Sequence, residues 1–145
     1  MVRFWETSAI VPLLLREPLS SEARAWLGAD PVISVWWSTP IECLSAIARA
    51  ERDGRIRSAV VRDAVAALRL LRSGWSEVDA TARVRGIAER LVRTHPLRGA
   101  DACQLAAAIV AAEGAPDTMP FVTFDTRLAD AAAREGFEII GGAPA

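Results

Sequence analysis

Short apolar runs alternate along this chain with longer stretches in which apolar residues recur every three or four positions. The first run, Val2 to Trp5, ends at Glu6. Two hydroxyl residues, Thr7 and Ser8, then open a helical pattern over residues 8–17, with Ile10, Val11, Leu13 and Leu14 on its apolar side. Pro12 is tolerated in such a helix because it falls within the first turn or so, and Pro18 stops it. Residues 31–36, 121–124 and 137–140 are further apolar runs bounded by turn formers and predict buried strands. Residues 75–78 predict a short edge strand.

Between the strands the helical period predicts helices over 20–28, 39–54, 58–71, 81–94, 101–113 and 126–135. Ser20 and Ser21 can cap the first of these. Thr39 fits an N-cap, with Pro40 in the first helical position and Glu42 at N3. The helix over 101–113 is so rich in alanine that it should pack closely and centrally. Gly141 and Gly142 begin a loose tail. Strands alternating with helices predict an α/β fold with a mostly parallel central sheet, flanked by helices on both faces.

The chain has 145 residues, so a single domain spanning 1–145 is the simplest organisation. It is 52% hydrophobic and 24% charged, as a globular protein is, and no apolar run approaches the ~20 residues of a membrane span. No membrane partner is expected, and a cytoplasmic location is the default in the absence of a signal-like start. Cys43 and Cys103 form no CxxC pair, and His95 is the only imidazole, so a zinc site is not expected and both cysteines read as small core residues.

A net charge of −1 excludes nucleic-acid binding by bulk charge alone; such a partner would need a local basic strip, a metal, or both. The 17 basic side chains are all arginine. Without lysine there is no P-loop, Schiff-base or lysine general-base chemistry.

Four acids stand at strand ends or helix starts: Glu6, Glu42, Asp101 and Asp125. Each alone has a structural explanation. Glu42 would complete a capping box with Thr39, Asp125 would cap the helix that follows it, and Glu6 and Asp101 lie where a helix dipole favours negative charge. As a set they would share the carboxyl edge of a parallel sheet, where open α/β folds bind their ligands. Crowded carboxylates repel unless a cation is present, and hard oxygen donors suit Mg²⁺ or Mn²⁺. Such an ion can bind a phosphodiester and activate water.

The segments around these acids resemble those of the PIN-domain ribonucleases, in particular VapC-type toxins of bacterial toxin–antitoxin pairs. Residues 4–14 (FWETSAIVPLL) are similar to the family's opening, 39–46 (TPIECLSA) to its second acidic segment, 97–106 (LRGADACQLA) to the third and 121–129 (FVTFDTRLA) to the fourth. The segments fall in the family's order over nearly the whole chain. The resemblance implies a PIN-like three-layer fold and Mg²⁺- or Mn²⁺-dependent cleavage of RNA. It also implies inhibition by a cognate antitoxin, with operator DNA met only through that antitoxin, and a homodimer. Carried over, Glu6, Glu42, Asp101 and Asp125 become the catalytic and metal-binding acids. Thr7, Ser8 and Thr123 become hydroxyls that orient the carboxylates. The family usually has Asp where this chain has Glu6. Replacing Glu6 by Asp is therefore expected to raise cleavage, more with Mg²⁺ than with Mn²⁺, and to leave stability nearly unchanged.

Arg98, three residues before Asp101, reads equally as a phosphate contact or as the partner of a site carboxylate. Arg49, Arg52, Arg55 and Arg57 read as a solvated helix end. Of Trp36 and Trp37 at most one can face the site, and Trp5 reads as core. Two other functions remain in view. One is a binding module whose catalysis is weakened by Glu6 and which mainly holds its antitoxin. The other, an acid-clustered phosphoacceptor domain, would need a lysine that this chain lacks.

Overall fold

A computed structural model of the chain describes residues 1–142; the rest of the expected tail lies outside them. Five strands form one sheet: β1 (Arg3–Trp5), β2 (Ile33–Trp36), β3 (Ser76–Val78), β4 (Phe121–Thr123) and β5 (Ile139–Gly141). Their order is β3-β2-β1-β4-β5 and every pairing is parallel. The helices are α1 (Thr7–Leu14), α2 (Ser20–Ala29), α3 (Thr39–Arg52), α4 (Ser58–Arg72), α5 (Ala82–Thr94), α6 (Gly99–Ala111) and α7 (Thr126–Arg134). A single turn of 3₁₀ helix, Pro116–Thr118, precedes β4.

Two apolar cores lie on opposite faces of the sheet, because successive strand residues point opposite ways. Phe4 and Phe121 stack with ring centroids 5.5 Å apart and pack with Leu105 and Ala106 of α6, Leu91 of α5 and Leu128 of α7. Their neighbours Trp5 and Val122 face the other way, onto Ile10 of α1, Ile47 of α3 and Leu68 of α4. This is the three-layer α/β arrangement that the alternating pattern predicts. The alanines of α6 let it sit against the sheet: Ala106, Ala107 and Ala108 are fully buried.

The strand order decides where a ligand can bind. From β1 the chain winds outward to β2 and β3, then returns through α5 and α6 to place β4 on the other side of β1. The order therefore reverses between β1 and β4, and at such a point the loops leave the carboxyl edge in opposite directions and open a crevice. Glu6 directly follows β1, and Asp125 lies two residues after β4.

Several local expectations shift. Pro12 is the sixth residue of α1, beyond its first turn; it has no N–H for the Ser8 carbonyl, and the helix ends two residues later, well before Pro18. Ser20 does not cap α2 as its N-cap but lies inside it, accepting from the Glu17 amide and donating to the Leu15 carbonyl. Ser38, not Thr39, precedes α3; Pro40 is the second helical residue and Glu42 the fourth. The alanine-rich helix starts at Gly99, two residues early, so Asp101 takes the N3 position. Gly141 belongs to β5 rather than to a tail. Its φ of 96° and the Thr123 carbonyl, which a Cβ would strike, exclude a side chain there.

Candidate active site

The carboxyl edge of the sheet opens into a cleft of about 710 Å³ lined by Glu42, Asp101 and Asp125 together with Arg49, Arg98 and Arg127. A smaller lobe of about 460 Å³ adjoins it, shares Glu42 and Arg49, and reaches Glu6, Thr7 and Ser8. The four acids named from the sequence therefore line two neighbouring pockets that share Glu42 and Arg49. A separate apolar groove between α5 and the start of α6, lined by Trp36, Val84 and Val92, contains none of them.

Glu6 is held at the floor. It is buried, and its Oε2 accepts hydrogen bonds from the hydroxyls of Ser8 and of Thr123, the latter at 2.7 Å. Each hydroxyl in turn accepts a backbone amide of the turn after β4: Phe124 N–H to Ser8 Oγ at 2.9 Å and Asp125 N–H to Thr123 Oγ1 at 3.0 Å. Glu6 is thereby tied through two hydroxyls to the segment that carries Asp125. Burial pushes the Glu6 carboxyl up to about 7; the two hydroxyl bonds oppose that rise and the charge of Asp125 adds to it.

Glu42 is held from a distant helix. Its Oε2 accepts from Gln104 Nε2 at 2.8 Å and from Ser38 Oγ at 3.0 Å. The Gln104 amide also donates to Thr7 Oγ1 at 2.8 Å, so one side chain of α6 joins the first turns of α1 and α3. The capping box between Thr39 and Glu42 does not form, because Thr39 is already inside the helix. Asp101 Oδ2 accepts from the Arg98 amide at 3.3 Å. Asp125 caps α7 as expected, its Oδ1 accepting from Leu128 N–H at 3.0 Å.

A common pattern results. The hydrogen bonds that Glu42, Asp101 and Asp125 accept fall on one oxygen each, Oε2, Oδ2 and Oδ1, and the two hydroxyls that meet Glu6 share its Oε2. None of the four forms an ion pair within 4.0 Å, and neither does Arg49, Arg98 or Arg127, among the described residues. The cleft thus holds both charge signs unneutralised by direct contact, as a site would if its acids were to meet a cation and its arginines an anion.

The chain belongs to the PIN-domain family. A model of that family matches residues 4–134. Two curated relatives from Mycobacterium tuberculosis place it in the VapC branch. Ribonuclease VapC49 is 36% identical over 107 residues, covering 73% of this chain and 74% of its own length. Ribonuclease VapC47 is 31% identical over 140 residues, covering 92% of each. Among solved structures, FitAcB from Neisseria gonorrhoeae matches with a TM-score of 0.65 at 17% identity, covering 97% of this chain and 96% of that one. VapBC2 from Rickettsia felis, bound to a DNA fragment from its promoter, matches with a TM-score of 0.63 at 13% identity, covering 97% and 98%. At those identities the structures carry the fold alone, and the sequence relatives carry the family.

For this PIN domain the donor set fits Mg²⁺ or Mn²⁺ in kind, being all carboxylate oxygen. Among the described residues no three His, Cys, Asp or Glu side chains stand in an arrangement that by itself encloses an ion. Cys43 offers no competing chemistry: burial, with the nearby charges of Glu42 and Glu6, pushes its thiol up to about 12. Cys103 is only half-buried rather than core. Arg49 does not belong to a merely solvated helix end, since it lines both lobes. Sequence reasoning also missed Gln104 and Arg127. Gln104 lies one turn after Asp101 on the same helix, and Arg127 two residues after Asp125; those offsets were the signals available.

No described helix is long and apolar enough to cross a membrane.

Proposed function

We propose that this protein is a Mg²⁺- or Mn²⁺-dependent endoribonuclease, the toxin of a toxin–antitoxin pair acting in the cytoplasm. The observation that carries the reading is the cleft that Glu42, Asp101 and Asp125 share with three arginines free of ion pairs among the described residues, next to the lobe that holds the buried Glu6. The curated relatives are named ribonucleases, and one solved neighbour is a toxin–antitoxin complex from Klebsiella pneumoniae, matched with a TM-score of 0.59 at 18% identity over 86% of this chain and 88% of that one.

In this reading Glu42, Asp101 and Asp125 hold a hydrated cation, in part through its bound waters, with Glu6 adding charge beside them. The bound ion would stabilise charge on the phosphoryl group and lower the pKa of an attacking water. Arg49, Arg98 and Arg127 bind phosphate oxygens and fix the strand in the cleft. Ser8 and Thr123 orient Glu6, and Gln104 and Ser38 orient Glu42, so that the carboxylates need not reorganise when substrate arrives. The partner is a cognate antitoxin, operator DNA being met only through it, and the protein pairs as a homodimer.

The test is cleavage of a mixed RNA substrate in Mg²⁺, in Mn²⁺ and in chelator, with Asp101→Asn as blank. Metal-dependent cleavage by the unaltered protein alone supports the reading; cleavage that survives chelation, or an equally active Asp101→Asn protein, refutes it. A second reading, a weakened site whose main task is to hold the antitoxin, is favoured by the burial of Glu6, which leaves that carboxyl partly protonated near neutrality. Under it the protein binds its antitoxin with unaltered affinity and cleaves no RNA across a full Mn²⁺ titration.

A further inference from the structure

The smaller lobe is bordered on one side by the carboxylates of Glu6 and Glu42, but its apolar side has no task in the chemistry just described. Its wall is Ile41 and Ala46 of α3, its floor is Thr7 and Ser8, and Arg49 stands where it opens into the larger lobe. Ile41 is 59% exposed, at the third position of a helix whose inner face already has Cys43 and Ile47 to bury, so its exposed surface adds nothing to the core. Leu44, three residues on in the same helix, is 40% exposed, and Trp37, in the turn before α3, is 50% exposed. The exposed tryptophan is Trp37; Trp36, its neighbour, is buried.

We infer that this lobe is a nucleoside subsite, resting on the ribonuclease reading above. The base of one unpaired nucleotide lies against Ile41 and Ala46. Its ribose and base edge meet the Thr7 and Ser45 hydroxyls, and the phosphate joining it to the next unit meets Arg49. Single-stranded RNA is recognised in this way, bases against flat apolar surface and phosphates against arginine, and the adjoining lobe supplies the positive groups that continue the strand. Arg49, Arg98 and Arg127, without ion pairs among the described residues, offer a polyanion several contacts close to this wall. The subsite gives the enzyme a preference for the base on one side of the scissile bond.

Two fluorescent oligomers in the Asp101→Asn protein test this: a mixed-sequence single-stranded RNA, and a phosphoribose chain of equal length with no bases. Ile41→Ala, an exposed substitution to a better helix former, should weaken binding of the RNA about fivefold or more and leave the abasic chain unchanged. Arg49→Gln should weaken both alike and reduce the salt dependence by about 0.7 in slope, the loss of one single-strand phosphate contact. If the unaltered protein cleaves RNA but Ile41→Ala binds the RNA as before, or weakens both oligomers equally, the subsite is overturned and the ribonuclease reading stands. If the protein neither binds nor cleaves RNA, both fall.

Discussion

Gln104 donates its side-chain amide to Glu42 Oε2 across 2.8 Å, from α6 to the first turn of α3. The same amide nitrogen meets Thr7, while its own carbonyl oxygen is buried without a partner. A hydrogen bond to a charged group is worth ~1.5–3 kcal/mol, and an orphaned buried acceptor costs ~1–3 kcal/mol. The two nearly offset, so what Gln104 contributes is orientation of Glu42 rather than net stability.

Gln104→Met, which keeps the volume and deletes both the donor and the orphan, should therefore shift stability by no more than about 1 kcal/mol, while metal-dependent cleavage falls by at least about tenfold. Gln104→Glu would bury a second carboxylate beside Glu42 and should cost at least about 3 kcal/mol. Urea titration and cleavage rate, measured on the same preparations, check both; a Gln104→Met protein as active as the original would remove Gln104 from the site.

The Glu6 carboxyl gives the metal-free protein a definite pH dependence. Its pKa is raised from 4.5 to about 7 on folding, so between those values the native state binds more protons than the unfolded chain. Stability should then fall as pH rises from about 4.5 through about 7 and level off above, by on the order of 3 kcal/mol. Glu6→Gln keeps an oxygen to accept from Ser8 and Thr123 and removes the ionisation, so its stability should be flat over that window and exceed the original at pH 8. The measurement is thermal unfolding in chelator from pH 4.5 to 8.5, and parallel curves for the two proteins would contradict the assignment.

Asp101→Asn should abolish cleavage and preserve the fold. Asp101 is half-exposed and its one protein contact, from the Arg98 amide, can be kept by the amide oxygen of Asn. The expected stability change is within about 0.5 kcal/mol, because nothing buried is disturbed. A melting temperature lowered by many degrees would make Asp101 a structural residue instead.

The structure alters half of what the sequence led us to expect of Glu6→Asp. Cleavage should still rise, more with Mg²⁺ than with the more forgiving Mn²⁺, if the shorter arm suits the ion. Stability should not stay level, because the length of Glu6 is what brings Oε2 to both Ser8 and Thr123. Losing one or both bonds should cost about 1–3 kcal/mol. Adding Thr123→Ala should then cost less in the Glu6→Asp protein than in the original, a non-additivity that a double-mutant cycle reads directly.

Much of this protein is local, and that part was present in its sequence. Apolar periodicity located the four inner and core-facing strands and every α-helix to within a few residues, because burial of one face or of both imposes the period wherever the element sits; it did not show the 3₁₀ turn at Pro116–Thr118. The same periodicity put Glu6, Glu42, Asp101 and Asp125 at strand ends and helix starts, and the Thr123 hydroxyl two residues before Asp125. What the sequence left open depends on pairings between segments far apart in the chain. That β4 lies beside β1, and not outside β3, follows from packing α6 against the sheet, and it alone sets Thr123 against Glu6 across 117 positions. Gln104 meets Glu42 over 62 positions and Thr7 over 97; its offset from Asp101 hints at the site but names neither partner. Arg49 looked like one charge among several on an exposed helix end until the crossing of α3 over the sheet edge turned it into the cleft. Local free energies choose the elements and their ends; only the closure of the core, through contacts that no short window contains, decides which carboxylate is buried and which arginine faces it.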